Sequence, residues 1–503
     1  MTTFPRQPRR AAGQHYDLII IGGGIYGIAL ALEASQRGLR NVLLEQKDFG
    51  WATSYNHLRT VHGGLRYLQN LDLHRFFESV RERQWFLRHF SGLVSPLPCL
   101  MPLYGQGVYR PSVFRAALGL NDLLSWRRNH RVPAGQELPA GKVLDPAAVV
   151  GLFPGVDQDG LLGGALWYDA AVPSSQLLVM AMLHQACAAG TTALNYLRAE
   201  QVLLEDGQVR GLLCRDEENG EQLTFHGTCL VNAAGPWCRE LAATFAADDP
   251  DLFRYSLAWN VLFDKPALSA HSLALRPKRP GSPMYFVHGF NGQIMGGTVH
   301  SPWPANTTPE PDEEALAAYL ADLNLTVPGL HLERKDVLHV YAGLLPAREQ
   351  GSAKLAVREV IKDHGKQGGP QGAYTVSGVK FTTARLVAEK TLQKIFPTRS
   401  VLVQTGADAA GGSDLFSAAT GEFPGEWHPD MAESTWQENL RAIIAQQAVV
   451  HLDDLILRRT TFGDHPRKAL QLAPLLAQLF PWDEQRRQEE IERVQACFPW
   501  CRS

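Results

Sequence analysis

The stretch YDLIIIGGGIYGIALALEASQRGLRNVLLEQ, Tyr16–Gln46, decides the fold. Asp17 to Ile21 reads as a buried strand. A Gly-rich turn follows, then a helix to about Arg37 with Gly38 near its cap, and Val42 to Glu45 as a second strand. This is a βαβ unit in about 30 residues. Gly22-x-Gly24-x-x-Gly27 sits at the hand-over from strand to helix, with Ile25 in the helix's first turn. Glycines there let the backbone turn tightly and approach a pyrophosphate, while the helix N-terminus offers unpaired N–H groups and a positive dipole end. Glu45, with Gln46 after it, ends the next strand, where a carboxylate accepts hydrogen bonds from ribose hydroxyls. A carboxylate also disfavours a 2′-phosphate, so NADP is set aside and FAD and NAD remain.

The 503 residues are 45% hydrophobic and 20% charged, ordinary for a soluble globular chain of several domains. A net charge of −3 gives no electrostatic case for nucleic acid. Seven scattered cysteines fit reduced thiols in a cytoplasmic protein, and no spacing reads as a metal site. The first fourteen residues, MTTFPRQPRRAAGQ, read as a disordered tail rather than a secretory signal. No apolar run is long enough to predict a membrane-spanning helix.

Elsewhere the pattern predicts helices over 73–90, 111–128, 174–190, 312–325 and 383–396, and a hairpin turning at Asp206-Gly207. Residues 133–160, rich in Pro and Gly, read as loop. Residues 405–430 are the linker candidate, and the tail from 431 reads as amphipathic helices, with His451–Phe462 as a docking helix.

Three further segments carry a resemblance. ATSYNHLRTVHGGLRYL, Ala52–Leu68, resembles the second flavin-contacting segment of the FAD-dependent aerobic glycerol-3-phosphate dehydrogenase family, within the D-amino-acid-oxidase-like superfamily. It keeps Thr53, Ser54, His62, Gly63, Gly64, Arg66 and Tyr67, with Arg59 where the family has Lys. VNAAGPW, Val231–Trp237, resembles the strand and turn that return to the adenine half of FAD, which implies contacts from Ala233, Gly235 and Trp237. YTVSGVKFTTARLVAE, Tyr374–Glu389, resembles the C-terminal flavin-binding segment and carries Gly378, Lys380, Phe381, Thr382 and Thr383. The order of these motifs favours FAD over NAD.

The resemblance implies an α/β (mixed α+β) chain. A Rossmann-like FAD-binding domain (15–90, 150–240 and 335–400) would carry an antiparallel-sheet substrate domain (91–149 and 241–334) and a small helical C-terminal domain (431–503). Gly63 and Gly64 would bring the backbone close to the flavin ring. Arg66, Tyr67, His62, Lys380 and Arg358 would surround the substrate, with Lys380 or a nearby His as base or electrostatic stabiliser. Two departures stand out. Leu345 replaces a family Arg and Asn260 a family His, and Arg348, three residues downstream of Leu345, is the candidate to compensate. Losing a hydrogen bond to a charged group removes about 1.5–3 kcal/mol, so Leu345 predicts a less anionic or bulkier substrate pocket.

The implied activity is FAD-dependent oxidation of a small hydroxy substrate like glycerol 3-phosphate, by hydride transfer to flavin N5. An amine or amino-acid oxidase and a flavin-binding scaffold without turnover are the alternatives. Tyr109–Arg131 holds five Arg and one Asp among apolar residues. It reads either as a cationic helix over the substrate domain or as a peripheral contact with the inner face of the cytoplasmic membrane. Membrane docking would favour a quinone as electron acceptor; a soluble protein would favour oxygen.

Overall fold

The computed structural model describes residues 3–105, 107–303, 308–402 and 433–501. The proposed linker 405–430 lies outside them. The Gly-rich unit forms as read: strand Leu18–Ile21, helix Ile25–Gln36, strand Asn41–Leu44. These strands join a six-stranded sheet in the order 360–363, 373–377, 230–232, 18–21, 41–44, 192–194. Its strands run parallel except Val360–Asp363, which pairs antiparallel with Ala373–Ser377. Ile20 lies opposite both Val231 and Leu43, so apolar side chains line up across the sheet.

The helix Ile25–Gln36 is apolar nearly all round, the mark of a helix covered on every side. It packs between Ser175–Ala188 and Ala384–Ile395. Gly27 makes the close approach to the turn possible, since a Cβ there would fall 1.8 Å from the Gly22 carbonyl oxygen.

A second sheet of nine strands runs 337–346, 255–266, 293–302, 285–290, 272–275, 95–103, 163–171, 60–61, with Lys142–Leu144 also paired to 163–171. A third, of four strands, contains the hairpin at Asp206-Gly207.

Two expectations fail and a third holds only in part. The N-terminal segment is tied down rather than disordered. Phe4 is buried against His184 and Phe49, Arg6 pairs with Asp216 at 2.6 Å, and Pro8–Ala12 is a short helix. Reading the segment by its charge overlooked one buried aromatic and one cation with an acid to meet. The span 133–160 is not all loop. Asp145 caps the helix Pro146–Leu152 by accepting from the Ala148 N–H, an Asp-Pro start that the sequence displays. Finally, the docking helix read over His451–Phe462 docks but forms only in part. Asp454–Arg459 is a widened π-helical turn, buried throughout. Arg458 and Arg459 both donate to Asp48, just past the end of the 41–44 strand.

Candidate functional site

The parallel strands of the six-stranded sheet end together, and in an open α/β sheet ligands bind in the crevice beyond the carboxyl ends. A cavity of about 520 Å³ lies there, within the range of roughly 300–1,000 Å³ common for small-molecule and cofactor sites. Gly22, Glu45, Ala233 and Gly378 line it from the strand ends; Ala258, Asn260, Thr298, His300 and Leu345 line it from the nine-stranded sheet.

The turn is shaped for close approach. Gly22 has φ +105°, and a Cβ there would meet the Ala233 carbonyl oxygen at 2.5 Å. Ser54 accepts from the Ile25 N–H at the start of the helix. Glu45 accepts from the N–H groups of Gly23 (2.6 Å) and Lys47 (2.8 Å). Burial pushes its carboxyl up from the ordinary value, and these N–H groups work against that rise. An ionised carboxylate has about four lone-pair sites, so capacity remains for ribose hydroxyls. A glycine cradle, a helix start and a buried acid at the next strand end fit a dinucleotide such as FAD.

Of the proposed cofactor contacts, Gly22, Gly24, Ile25, Glu45, Gln46, Thr53, Ser54, Ala233, Gly235, Trp237, Gly378, Lys380 and Phe381 line the cavity. Gly27 and Thr382 do not; Gly27 lies beneath the turn. Gly378 is required by its neighbour, because a Cβ would fall 1.7 Å from the Tyr26 ring. The Tyr26 hydroxyl donates to the Lys380 carbonyl at 2.7 Å and accepts from its N–H at 3.2 Å.

Gly63 and Gly64 do not line the cavity either. What fills the space a Cβ at Gly63 would take is the Arg83 guanidinium, 1.8 Å away, and Gly64 (φ +88°) caps the short helix Leu65–Leu68. The Gly63 N–H donates to Asp169, which also takes Arg83 and faces His62 Nδ1 at 3.1 Å. Tyr67 and Lys380 meet directly, with the ammonium 4.2 Å from the ring centroid. Arg66 is exposed, and its charge reaches His300. Arg358 lies outside the main cavity, in a notch of about 90 Å³ that it shares with Arg75 and Lys380. Arg348 is exposed and lines neither space.

Leu345 and Asn260 do face the cavity, so both departures fall in the site. Thr298 donates to the Asn260 side-chain oxygen at 2.8 Å. Among the lining residues that escaped the sequence reading are Trp51, His57 and His300. Trp51 stacks on Trp237 with centroids 5.1 Å apart. His57 stacks on Phe381 at 4.5 Å and accepts the Arg59 N–H at Nδ1. Burial, then the Arg59 charge, lowers its imidazole to about 3. Burial, then Arg66, lowers His300 to about 4. Only the pairing of 255–266 with 293–302, which sets His300 against Ala258, brings that histidine to Asn260's neighbourhood.

Residues 17–393 match the family model described as FAD dependent oxidoreductase. Glycerol-3-phosphate dehydrogenase 1 of Mycobacterium tuberculosis is 30% identical, over 91% of this chain and 93% of that protein. Glycerol-3-phosphate dehydrogenase of Synechocystis is 28% identical, over 79% of this chain and 72% of its own. Among solved structures, glycerol-3-phosphate dehydrogenase from Bacillus halodurans, complexed with FAD, superposes with a TM-score of 0.73 at 18% identity, over 98% of this chain and 96% of that one.

Proposed function

The chain belongs to the FAD-dependent oxidoreductases, in the glycerol-3-phosphate dehydrogenase family, and from that premise we propose that it oxidises a small hydroxy substrate of the glycerol 3-phosphate kind. The observation that carries this reading is Lys380, which lines both the main cavity and the notch where Arg358, Arg75 and Lys390 outnumber Glu78 and Glu359. An anionic end held there leaves the hydroxyl-bearing carbon inside the cavity, beside Asn260 and His300. Bound FAD supplies the acceptor for the hydride that leaves this carbon. Gly22, Gly24, Ser54 and Glu45 hold the dinucleotide. Lys380 provides positive charge where negative charge grows during the reaction. Leu345 in place of a cation leaves room for a substrate bulkier than glycerol 3-phosphate.

Anaerobic titration of the FAD-loaded protein tests this. sn-Glycerol 3-phosphate or a larger hydroxy phosphate should bleach the flavin, and glycine or proline should not. Bleaching by amines alone would replace the reading with an amine oxidase, and bleaching by nothing would favour a scaffold.

The electron acceptor and the membrane belong to the same proposal. No described helix is long and apolar enough to cross a membrane. Helix Pro111–Leu124 and the turn after it expose Leu120, Leu123 and Trp126 beside the exposed Arg115 and Arg127. Apolar side chains ringed by cations suit the surface of an anionic bilayer. A peripheral contact there favours a quinone as acceptor. Rapid peroxide formation in air would point to oxygen instead.

A further inference from the structure

We propose that His300 takes the substrate's hydroxyl proton, with His57, which lines the same cavity, as a fixed hydrogen-bond donor. The assignment rests on the hydroxy-substrate reading above. It answers a question that Asn260 leaves open, because an amide cannot serve as a general base.

Three imidazoles and one ammonium lie in or near the site, and their contacts sort them. His57 lines the cavity, but its Nδ1 already accepts the Arg59 N–H. A neutral imidazole carries one proton, so that proton sits on Nε2. Nε2 is buried without a hydrogen-bond partner among the described residues. His57 is therefore locked as a donor and cannot accept. Lys380 presents an ammonium packed on the Tyr67 ring. His62 is committed at Nδ1 to Asp169 and does not line the cavity.

His300 is different. It lines the cavity next to Thr298 and Asn260, and its Nδ1 is buried with no hydrogen-bond partner among the described residues. A buried polar atom left unpaired costs about 1–3 kcal/mol, so a ligand that supplies its partner is favoured. Burial and the nearby Arg66 charge keep the ring neutral near neutral pH, with a lone pair available.

The step balances. The substrate O–H bond breaks and its proton goes to His300. The O–H electron pair becomes the second C–O bond. The C–H pair leaves with its hydrogen as the hydride for which FAD is the acceptor.

Two measurements test the assignment on the FAD-loaded protein. In anaerobic rapid mixing with sn-glycerol 3-phosphate, His300→Gln should slow flavin bleaching by about a hundredfold or more, with FAD content and thermal midpoint unchanged. Added imidazole should partly restore His300→Ala. The second needs no substrate. In ¹⁵N-histidine NMR, the signal that His300→Gln deletes should be a neutral imidazole near neutral pH and should move when FAD binds the apoprotein. Bleaching by His300→Gln within about threefold of wild type, or an imidazolium signal, overturns the assignment. If glycerol 3-phosphate leaves wild-type flavin oxidised, the substrate reading has failed. The NMR signal then decides His300 alone: a neutral, FAD-responsive ring upholds it and an imidazolium overturns it.

Discussion

The ammonium of Lys380 rests 4.2 Å from the ring centroid of Tyr67, joining the segment after the paired glycines to the segment that ends the six-stranded sheet. Cation–π contacts of this kind are worth about 0.5–2 kcal/mol, enough to aim the lysine. Lys380→Met should cut kcat/KM for an anionic substrate by about tenfold to over a hundredfold, the equivalent of a hydrogen bond to a charged group. FAD content should hold, because the Tyr26 hydroxyl grips the Lys380 backbone rather than its side chain. Unchanged steady-state kinetics would remove Lys380 from the substrate side.

Gly378→Ala should damage the same corner by another route. Its Cβ would sit 1.7 Å from the Tyr26 ring, which has to move and release both bonds to Lys380. Overpacking typically costs about 1–3 kcal/mol. Differential scanning calorimetry should show a lower midpoint, and the purified protein should carry less flavin. Adding Tyr26→Ala should recover part of the midpoint. If the double variant is no better than the single, the clash is not the cause.

The glycine-turn half of the cavity was legible because its signals are local. Gly22, Gly24 and Glu45 announce a turn and a strand end within one short unit. His300 was invisible for the opposite reason. It becomes a cavity group through strand pairing, Ala258 against His300, which no local pattern encodes. Gly63 shows a third case. The sequence reading set this glycine against the flavin ring, but the pressure on it is the Arg83 guanidinium beside Asp169. The turn Asp454–Arg459 docks as its Leu and Ile imply, but its charged residues are buried as well, which the local pattern does not encode. Here they are balanced by Asp48, whose carboxyl they hold well below its usual range against the cost of burial.

The Trp51–Trp237 stack borders the cavity, and Trp51 is 39% exposed. Stacked aromatic pairs contribute about 0.5–1.5 kcal/mol beyond their buried area. Trp51→Ala should therefore raise the FAD dissociation constant by about two- to tenfold, read from recovery of free flavin fluorescence on dilution. Retention equal to wild type would make the pair a surface contact only.

His451 should make the attachment of the C-terminal helices pH-dependent. Its ring lies between Glu490 (2.7 Å) and Glu218 (3.1 Å), with Arg486 and Asp454 also facing it. Burial lowers the imidazolium, but the two carboxylates outweigh it and hold it up at about 9. A folded value above the unfolded one means the contribution is complete below about 6.5 and lost as pH rises through about 9. Urea unfolding across that window should show wild type losing more stability than His451→Gln. Parallel curves would place the charge elsewhere.

The exposed apolar face beside the arginines gives a last prediction. Leu123 is 69% and Trp126 74% exposed, on the same stretch as Arg115 and Arg127. Each basic residue near an anionic surface adds about 1 kcal/mol, and salt screens it. Wild-type protein should sediment with phosphatidylglycerol vesicles at low salt and less so at high salt. Leu123→Asp with Trp126→Asp should reduce that partition by about tenfold or more, since it removes apolar burial and adds repulsion. Turnover with a soluble dye acceptor should be unaffected, because neither side chain lines the cavity. Wild-type protein that stays in the supernatant at low salt would end the membrane reading and turn the search for an acceptor toward oxygen.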